Sequence, residues 1–441
     1  MSRPVHRRTF LRQTAAVGAG FTILKSGLLQ AGNSPNEKLN IAAIGVGGRG
    51  ADDLNGCKSE NIVALCDVNE KNLAPAAKRF PQAKAYTDWR KCLDQKDIDA
   101  VVCATTDHTH AFINIWAMNR GKHVYCEKPI ANSVQEARLV RETYLKNQGK
   151  LSTQQGTQIH ASDNYRRMVE LIRSGAIGKV KEVHLWTDRK WGDPAPVPTR
   201  SDPVPAGLNW DAWLGVCAPR PYLEGYYHPG NWRKRVDFGT GSLGDMGCHI
   251  FDPVFEALAL GSPLSVRSEG PAATAANWAL DEIIHYVFPA TQYTDSPTVK
   301  LTWYDGDARP PQEVLALLED QPRPGNGSIF IGTKGVMVLP HVAVPFLLPK
   351  AQFADYKMPK VTGTSHNDQF IDAVLGKTTT STPFDYSGLL TETVLLGTVS
   401  TFYRNTTLEW DGAALQFKNH PEANARVRRT YRQGWEVAGL S

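Results

Sequence analysis

The stretch KLNIAAIGVGGRG, residues 38–50, decides the fold of this chain. Its apolar first half predicts a buried strand, and its glycine turn leads into a predicted helix over Ala51–Lys58. The glycines have the G-x-G-x-x-G spacing: Gly45 permits a tight turn, Gly47 lets the backbone approach a pyrophosphate, and Gly50 lets the helix pack close to the strand. A diphosphate bound at this turn would meet free N–H groups at the helix N-terminus.

A second apolar run, Ile62–Cys66, ends at Asp67, about 20 residues beyond the first glycine. A dinucleotide-binding domain places at this point the carboxylate that accepts hydrogen bonds from the adenosine ribose. Because a 2′-phosphate would meet Asp67 as a like charge, the acid favours NAD over NADP. The order of strand, turn, helix, strand and acid therefore predicts NAD binding. The alternative is an ordinary glycine turn, with Asp67 only beginning the next turn.

Length and composition indicate a globular protein large enough for two domains. The chain has 441 residues, of which 41% are hydrophobic and 21% are charged. Its formal charge of +5 comes from residues 1–31, which contain basic residues and no acid, so the rest of the chain is neutral. A neutral body argues against nucleic acid or a charged membrane surface as a partner.

Residues 1–31 are predicted to be a twin-arginine signal peptide that is cleaved after Ala31. Arg7-Arg8-Thr9-Phe10-Leu11 resembles the twin-arginine motif, and the apolar segment Ala15–Leu24 is too short to span a bilayer. This pattern predicts export of the folded protein by the Tat machinery and a periplasmic location. The alternative is a basic tail on a cytoplasmic enzyme.

The cysteines predict neither a disulfide framework nor a metal site. No two of them form Cys-x-x-Cys, and their number, seven, is odd. Most lie in apolar or motif segments, which is typical of small buried side chains. The seven are Cys57, Cys66, Cys92, Cys103, Cys126, Cys217 and Cys248.

The pattern beyond Asp67 predicts an α/β protein in two parts. Residues 38–155 are expected to form a Rossmann domain with a doubly wound parallel sheet. Residues 156–441 are expected to form an α+β domain with a mostly antiparallel open sheet and C-terminal helices. The predicted helices are Asn69–Arg79, Trp89–Leu93, a segment ending at Asn119, Val134–Asn147, Asp163–Arg173, His366–Leu375 and Tyr386–Tyr403; the strands are Asp99–Thr105, His123–Cys126, one near Leu151, Lys179–Trp186, Ile283–Phe288 and Thr298–Trp303; Gly192–Pro205 and Pro310–Gly327 are predicted loops.

Two strand ends carry side chains suited to chemistry, where ligands of open α/β sheets bind. One is Asp107-His108-Thr109-His110 and the other is Glu127-Lys128-Pro129. A lysine between a carboxylate and a proline could donate to a hydroxyl or accept its proton if its pKa is lowered, although a surface salt bridge is the alternative. The two histidines lack a third ligand, so no metal is predicted.

A glycine-rich segment, residues 237–249, brings a second pair of functional groups. If this segment is helical, Asp245 and His249 are separated by one turn and share a face. A carboxylate beside an imidazole suits the removal of a proton from an alcohol as hydride leaves the same carbon. The alternative is a surface pair on a helix.

Taken together and in this order, these motifs resemble the Gfo/Idh/MocA oxidoreductases, which include glucose-fructose oxidoreductase and inositol dehydrogenase. The resemblance runs from about residue 38 to at least residue 260. It implies that Lys128 contacts the substrate hydroxyl and the nicotinamide, that His249 is the acid/base, and that Asp245 binds substrate. The family usually has proline where this chain has Thr106. The implied cofactor-binding residues are Gly45, Gly47, Gly48, Arg49, Gly50, Asp67, Thr105, His108, His110, Glu127 and Lys128.

Tryptophans crowd the second domain, and some of them could provide apolar faces for a sugar ring. The substrate-binding candidates are Tyr165, Arg166, Trp232 and His228. The basic cluster Arg426, Arg428, Arg429 and Arg432 is interpreted as a solvated tail.

The expected function is an NAD(P)-dependent oxidoreductase acting on a sugar, polyol or glycoside hydroxyl. An exported enzyme has no supply of free NAD, so the cofactor is expected to stay bound and to be restored within each cycle. Closed-cycle chemistry of the same family, as a redox-neutral glycosidase, lyase or epimerase, is the first alternative. A non-catalytic sugar- or nucleotide-binding protein is the second. A homo-oligomer, dimer or tetramer, is expected from the family resemblance.

Overall fold

The first sheet has six strands: β1 (Asn40–Ile44), β2 (Asn61–Cys66), β3 (Lys84–Tyr86), β4 (Ala100–Cys103), β5 (His123–Cys126) and β6 (Thr153–Gln155). They are all parallel and lie in the spatial order β3-β2-β1-β4-β5-β6. The computed structural model describes residues 38–440, so the predicted signal peptide lies outside the described residues. The order reverses between β1 and β4, which opens a crevice at the carboxyl ends of these strands.

Helices cover both faces of this sheet, as the continuous apolar runs of its central strands require. They are α1 (Arg49–Gly56), α2 (Glu70–Arg79), α3 (Trp89–Leu93), α4 (Asp107–Met118) and α5 (Val134–Lys146). Side-chain caps begin three of them: Asn69, Asp88 and Ser133 each accept a hydrogen bond from a backbone N–H of the first turn. The predicted parallel sheet is confirmed, with element ends shifted by a residue or two.

The glycine turn is tight because two backbone segments meet there without a side chain between them. Gly45 has a φ of +79°, and a Cβ at this residue would lie 2.5 Å from the carbonyl oxygen of Ala104. A Cβ at Gly50 would lie 1.9 Å from the carbonyl oxygen of Gly45. The close packing of α1 on β1 thus requires glycine at position 50.

We expect Gly50→Ala to lower the free energy of unfolding by about 3 kcal/mol, since the new methyl group must push backbone aside. Urea unfolding monitored by tryptophan fluorescence measures this change. Gly261→Ala is the matched control, because a Cβ there meets no atom within 4 Å. A shift of the same size in both variants would contradict the steric explanation.

The second sheet has nine strands: β7 (Val180–Thr187), β8 (Ser265–Ser268), β9 (Ile283–Pro289), β10 (Thr298–Tyr304), β11 (Asn326–Gly332), β12 (Val336–Leu339), β13 (Phe346–Leu348), β14 (Leu408–Asp411) and β15 (Gln416–Phe417). Their order is β13-β12-β11-β7-β10-β9-β8-β14-β15. Only the β7–β10 pair is parallel among these neighbours. The predicted mostly antiparallel sheet is confirmed.

Two long helices pack on this sheet, α8 (Gly241–Leu258) and α11 (Phe384–Ser400). Phe251 of α8 lies against the sheet, with its ring centroid 5.1 Å from that of Tyr286 and 5.9 Å from that of Trp303. The other helices of this half are α6 (Asp163–Arg173), α7 (Trp210–Leu214), α9 (Gln312–Ala316) and α10 (His366–Val374). Within residues 38–440 no helix has the length and apolarity that a bilayer crossing needs.

Two predictions for the second half need correction. The predicted loop Pro310–Gly327 contains the short helix α9, and its last two residues already belong to β11. The hairpin of β11 and β12 was not predicted at all. The predicted irregular segment Gly192–Pro205 is confirmed, since it contains neither helix nor strand.

The basic cluster near the C-terminus is a solvated tail only in part: Arg426 and Arg428 are exposed, whereas Arg429 and Arg432 are partly buried. The Arg429 side chain is only 14% exposed, and its guanidinium lies 3.2 Å from the carboxylate of Glu136, which is fully buried. Farther along, Trp435 is buried against Trp89 of α3. The segment after residue 426 therefore packs against the first domain. Its Arg429 pairs with the buried carboxylate of Glu136, and its Trp435 packs on Trp89.

Helix α10 also belongs to the first domain in space. Its Phe370 and Ile371 share one apolar core with Leu39, Ile41 and Tyr125. The rings of Tyr125 and Phe370 are 5.7 Å apart between centroids. One face of the parallel sheet is thus completed by residues from the far end of the chain.

Candidate active site

A cleft of about 530 Å³ opens where the carboxyl ends of β1 and β4 meet the second half of the chain. Both halves line it, which is the usual position of a ligand site in an open α/β fold. The first half contributes the glycine turn, Asp67, Thr105, Thr106, His110, Glu127 and Lys128, and the second half contributes Gln158, Trp213, His228, Trp232, Arg233 and His249, among others.

Asp67 is fixed at one end of this cleft by backbone donors. Its Oδ2 accepts a hydrogen bond from the N–H of Val46 at 3.0 Å, and its Oδ1 accepts one from the N–H of Asn69 at 2.9 Å. Burial raises the pKa of the Asp67 carboxyl, and these N–H groups oppose that shift. The carboxylate is therefore held beside the glycine turn, where a ribose would lie.

The glycine turn fits a dinucleotide because its concave side has no room for a side chain. A Cβ on Gly47 would lie 2.4 Å from the side chain of Asn72. Asn72, in turn, donates a hydrogen bond to Asp67 at 3.3 Å. Backbone without side chains therefore borders the cleft at positions 47 and 48, as the close approach of a diphosphate requires.

We expect Asp67→Ala to weaken NAD binding by about ten- to a hundredfold, since the ribose hydroxyls lose a hydrogen-bond acceptor. Fluorescence titration of cofactor-free protein with NAD and NADP measures the dissociation constants. Asp97→Ala, at an exposed acid outside the cleft, is the control. Unchanged NAD affinity in Asp67→Ala would contradict the assignment of this carboxylate to the ribose.

Lys128 and Asp245 are joined at the other end of the cleft. The Lys128 Nζ donates to the backbone oxygen of Asp245 at 2.6 Å and to its Oδ1 at 2.8 Å. Arg233 donates to the same Oδ1 through Nε at 3.1 Å. Burial alone would raise the pKa of Asp245, but the charges of Lys128 and Arg233 outweigh it and lower the pKa. Asp245 is therefore an ionised carboxylate that orients two cations.

His249 lies one turn beyond Asp245 on α8 and lines the cleft, as the predicted shared face requires. Its Nδ1 is buried, with no hydrogen-bond partner in the described part of the chain. Burial, followed by the charge of Lys128 and the nearby His341 ring, lowers the pKa of His249 well below its usual value. The imidazole is therefore neutral and able to accept a proton.

His110 is a cation built into the wall of the cleft. Its Nδ1 lies 2.7 Å from the carbonyl oxygen of Pro129, and its Nε2 lies 3.0 Å from that of Thr105. Carbonyl oxygens only accept, so both ring nitrogens carry hydrogen. Burial lowers the pKa of His110, but Cys103 and Asp107 raise it by more. His110 thus links the segment that follows β4 to the segment that follows β5.

Five predicted site residues do not line the cleft: Gly50, His108, Tyr165, Arg166 and Asp245, of which Asp245 bonds the lining residue Lys128. His108 is buried, and its Nε2 lies 3.1 Å from the carbonyl oxygen of Trp213. The Tyr165 hydroxyl donates to the carbonyl of Asp252, and Arg166 bonds the carbonyl of Thr362, so neither reaches the cleft. Gly50 lies behind the turn. The predicted substrate residues Trp232 and His228 line the cleft, although His228 stands beside Asn69 at the ribose end.

Asn72, Gln158 and Arg233 are among the residues of the cleft that the sequence interpretation missed. Gln158 donates to Tyr125 at 2.8 Å and to the carboxylate of Glu127. None of the three belongs to a recognisable motif, and each reaches the cleft through the tertiary fold. The proximity of Arg233 to the predicted Trp232 was the one available signal.

All seven cysteines are buried and unpaired, as predicted. Cys103 and Cys126 lie with His110 so that their ligand atoms are within 4.8 Å of one another. Because both nitrogens of His110 already bond carbonyl oxygens, the imidazole offers no lone pair to a cation.

The parallel sheet with its glycine turn and ribose carboxylate, joined to an open antiparallel sheet across a shared cleft, defines a two-domain NAD-binding protein of the oxidoreductase type. Residues 39–155 match the oxidoreductase family's NAD-binding Rossmann fold, and residues 180–307 match the family's C-terminal alpha/beta domain. These matches together cover more than half of the chain. The chain belongs to the Gfo/Idh/MocA family.

Several relatives are sugar or polyol dehydrogenases. Inositol 2-dehydrogenase of Salmonella typhimurium is 30% identical over 151 residues, which are 33% of this chain and 45% of that protein. Myo-inositol 2-dehydrogenase of Thermotoga maritima is 28% identical over 232 residues, covering 51% of this chain and 67% of that protein. The match thus spans less than half the length of the Salmonella enzyme.

The fold is also that of the WlbA dehydrogenase from Bordetella pertussis, solved in complex with NADH and UDP-GlcNAcA. The TM-score is 0.58 at 14% identity, over 85% of this chain and 99% of that one. At this identity the likeness concerns the fold alone.

Proposed function

We propose that this protein is an NAD-dependent oxidoreductase that acts on a hydroxyl group of a sugar or polyol. The observation that carries the proposal is the placement of Lys128, Asp245 and His249 at one end of the cleft whose other end holds the glycine turn and Asp67. An anchored lysine beside a neutral imidazole is the arrangement that alcohol oxidation needs. Family membership and the dehydrogenase relatives support it.

Each residue has a distinct role in the proposed reaction. Lys128 uses two of its three N–H donors on Asp245, so the third is available to the oxygen of the substrate hydroxyl. His249 accepts the hydroxyl proton at Nε2. Bound NAD supplies the acceptor for the hydride that leaves the carbon. Asp245 holds the ammonium group in place.

We further propose that NAD stays bound between turnovers. The second half of the chain closes over the ribose end through backbone bonds: the N–H of Glu70 donates to the carbonyl of Gly207, and that of Asn209 donates to the carbonyl of Val68, both at 2.8 Å. His228 adds a side-chain contact to Asn69 at 3.3 Å. A covered ribose end favours a cofactor restored in each cycle, by a second substrate or by return of hydride during epimerisation, elimination or glycoside cleavage.

Export by the twin-arginine pathway to the periplasm belongs to the same proposal. The motif at Arg7-Arg8 supports it, and a cofactor bound before transport suits a pathway that moves folded proteins. A homo-oligomer remains the expectation from the family.

The decisive experiment is spectroscopy of protein purified without added cofactor, before and after a panel of sugars, polyols and glycosides is added. We expect bound nicotinamide to copurify and its near-ultraviolet absorbance to change with one class of sugar. Protein that arrives empty and binds NAD weakly would contradict cofactor retention. Bound NAD that no member of the panel reduces would favour a non-catalytic binding protein.

A further inference from the structure

We propose that the substrate carries an anionic group, a carboxylate or a phosphate, that binds to Arg233. The inference rests on the proposed function, since it concerns the substrate end of the same cleft. Arg233 lies on a short 3₁₀ helix, Asn231–Lys234, and its side chain lines the cleft.

The guanidinium of Arg233 is held in place but only partly used. Its Nε donates to Asp245, while its Cζ stacks 4.3 Å from the ring centroid of Trp232 and 5.4 Å from that of Trp191. Among the described residues, neither terminal nitrogen of Arg233 has a hydrogen-bond partner. The side chain is 30% exposed, so these nitrogens are open to the cleft. The result is a planar fork of N–H donors, fixed at its base and free at its tip.

The charge balance at this end also favours an anion. Asp245 is one carboxylate shared by two cations, Lys128 and Arg233, while His249 is neutral. Glu127 does not compensate, because it is paired with Arg49 and bonded by Gln158. Asp107 also lines the cleft, but it is offset by the cationic His110 beside it. This end of the cleft therefore carries one unbalanced positive charge. The planar guanidinium of an arginine matches the spacing of two carboxylate or phosphate oxygens.

The cofactor does not account for this surplus. The phosphates of a dinucleotide belong to the glycine turn, where the backbone of residues 47 and 48 borders the cleft. Arg233 is joined instead to the Lys128–Asp245 pair, at the catalytic end of the cleft. A group bound to its tip is thus part of the substrate.

The test compares wild-type protein with Arg233→Met on matched sugars: glucose, galactose and mannose, each with its uronate and its terminal phosphate ester. We measure the reduction of bound nicotinamide and, separately, sugar binding by calorimetry. For at least one sugar, wild type should prefer an anionic form by about a hundredfold in kcat/KM, and Arg233→Met should lose most of that preference through KM. A preference for the uronate identifies a sugar acid, and one for the ester identifies a sugar phosphate.

Lys234→Met is the matched control, since it removes a charge from the next residue, which does not line the cleft. It should keep the wild-type preference. Equal turnover of neutral and anionic sugars by wild type would overturn the inference and leave the proposed function intact. An equal loss of kcat for all forms in Arg233→Met would also overturn it, because Arg233 would then only position Asp245.

The two proposals can fail separately. If no sugar reduces the nicotinamide but an anionic sugar binds to wild type and not to Arg233→Met, the oxidoreductase proposal fails and the anion site stands. If wild type neither oxidises nor binds any anionic sugar in preference to its neutral form, the anion site is wrong.

Discussion

Lys128→Met should lower the rate of hydride transfer by about a thousandfold while NAD remains bound. The ammonium of Lys128 is anchored twice on Asp245 and keeps one donor for the substrate oxygen. Methionine preserves the length of the side chain but supplies no donor. The alkoxide character that develops as the hydroxyl proton is removed, before the hydride has left, therefore loses its stabilisation. The loss therefore falls on kcat rather than on cofactor binding.

Single-turnover absorbance of bound nicotinamide, mixed rapidly with the best sugar, measures this rate. Lys190→Met is the control, because Lys190 is exposed and paired with Asp307 outside the cleft. A Lys128→Met protein that retains NAD and reduces it at the wild-type rate would refute the catalytic role. A binding protein would show no change in either variant beyond a small loss of sugar affinity.

His249→Asn should lower the same rate by about a hundredfold, with a diagnostic change in pH dependence. Burial keeps the pKa of His249 far below the value of about 6.5 that an exposed imidazole has. The neutral, proton-accepting form therefore persists as pH falls through that value. We expect the wild-type oxidation rate to stay level there and to fall only at lower pH, where His249 becomes protonated.

In His249→Asn the remaining rate should rise with pH, because hydroxide or water must then remove the proton. His285→Asn, at a half-exposed histidine on β9, serves as the control and should leave the rate unchanged. A wild-type rate that halves near the ordinary histidine pKa would show that His249 is not the base, or that it is not neutral in the working enzyme.

The site could be predicted from sequence where short motifs fix it. The glycine turn, Asp67 and Lys128 each follow a strand directly, so their place at the sheet edge depends only on the strand order. Asp245 and His249 could be paired because helix periodicity alone puts them on one face. These residues needed no knowledge of distant contacts.

Other residues depend on tertiary structure that no local pattern records. Arg233 reaches the cleft from an irregular segment, and its partner Asp245 is on a different element. Arg429 looked like part of a solvated cluster, but its true partner, Glu136, lies nearly three hundred residues earlier. Tyr165 and Arg166 failed as substrate residues because α6 turns them toward other protein groups.

The missed hairpin is a different case, since a signal was present. Ile329-Phe330-Ile331 and Val336–Leu339 are apolar runs separated by Gly332-Thr333-Lys334-Gly335. Two such runs around a glycine-containing turn are typical of a hairpin. The proline- and glycine-rich segment before them obscured where the strand begins.

The sharing of the first core with Phe370 and Ile371 sets a constraint on biosynthesis. While the ribosome is still translating the second half, the nascent Rossmann segment has one sheet face without its final cover. It cannot complete its core until residues near 371 have emerged, and the C-terminal segment beyond residue 426 emerges later still. The first domain therefore cannot finish folding before most of the second domain has been synthesised. A cofactor taken up in a finished cleft must await a nearly complete polypeptide.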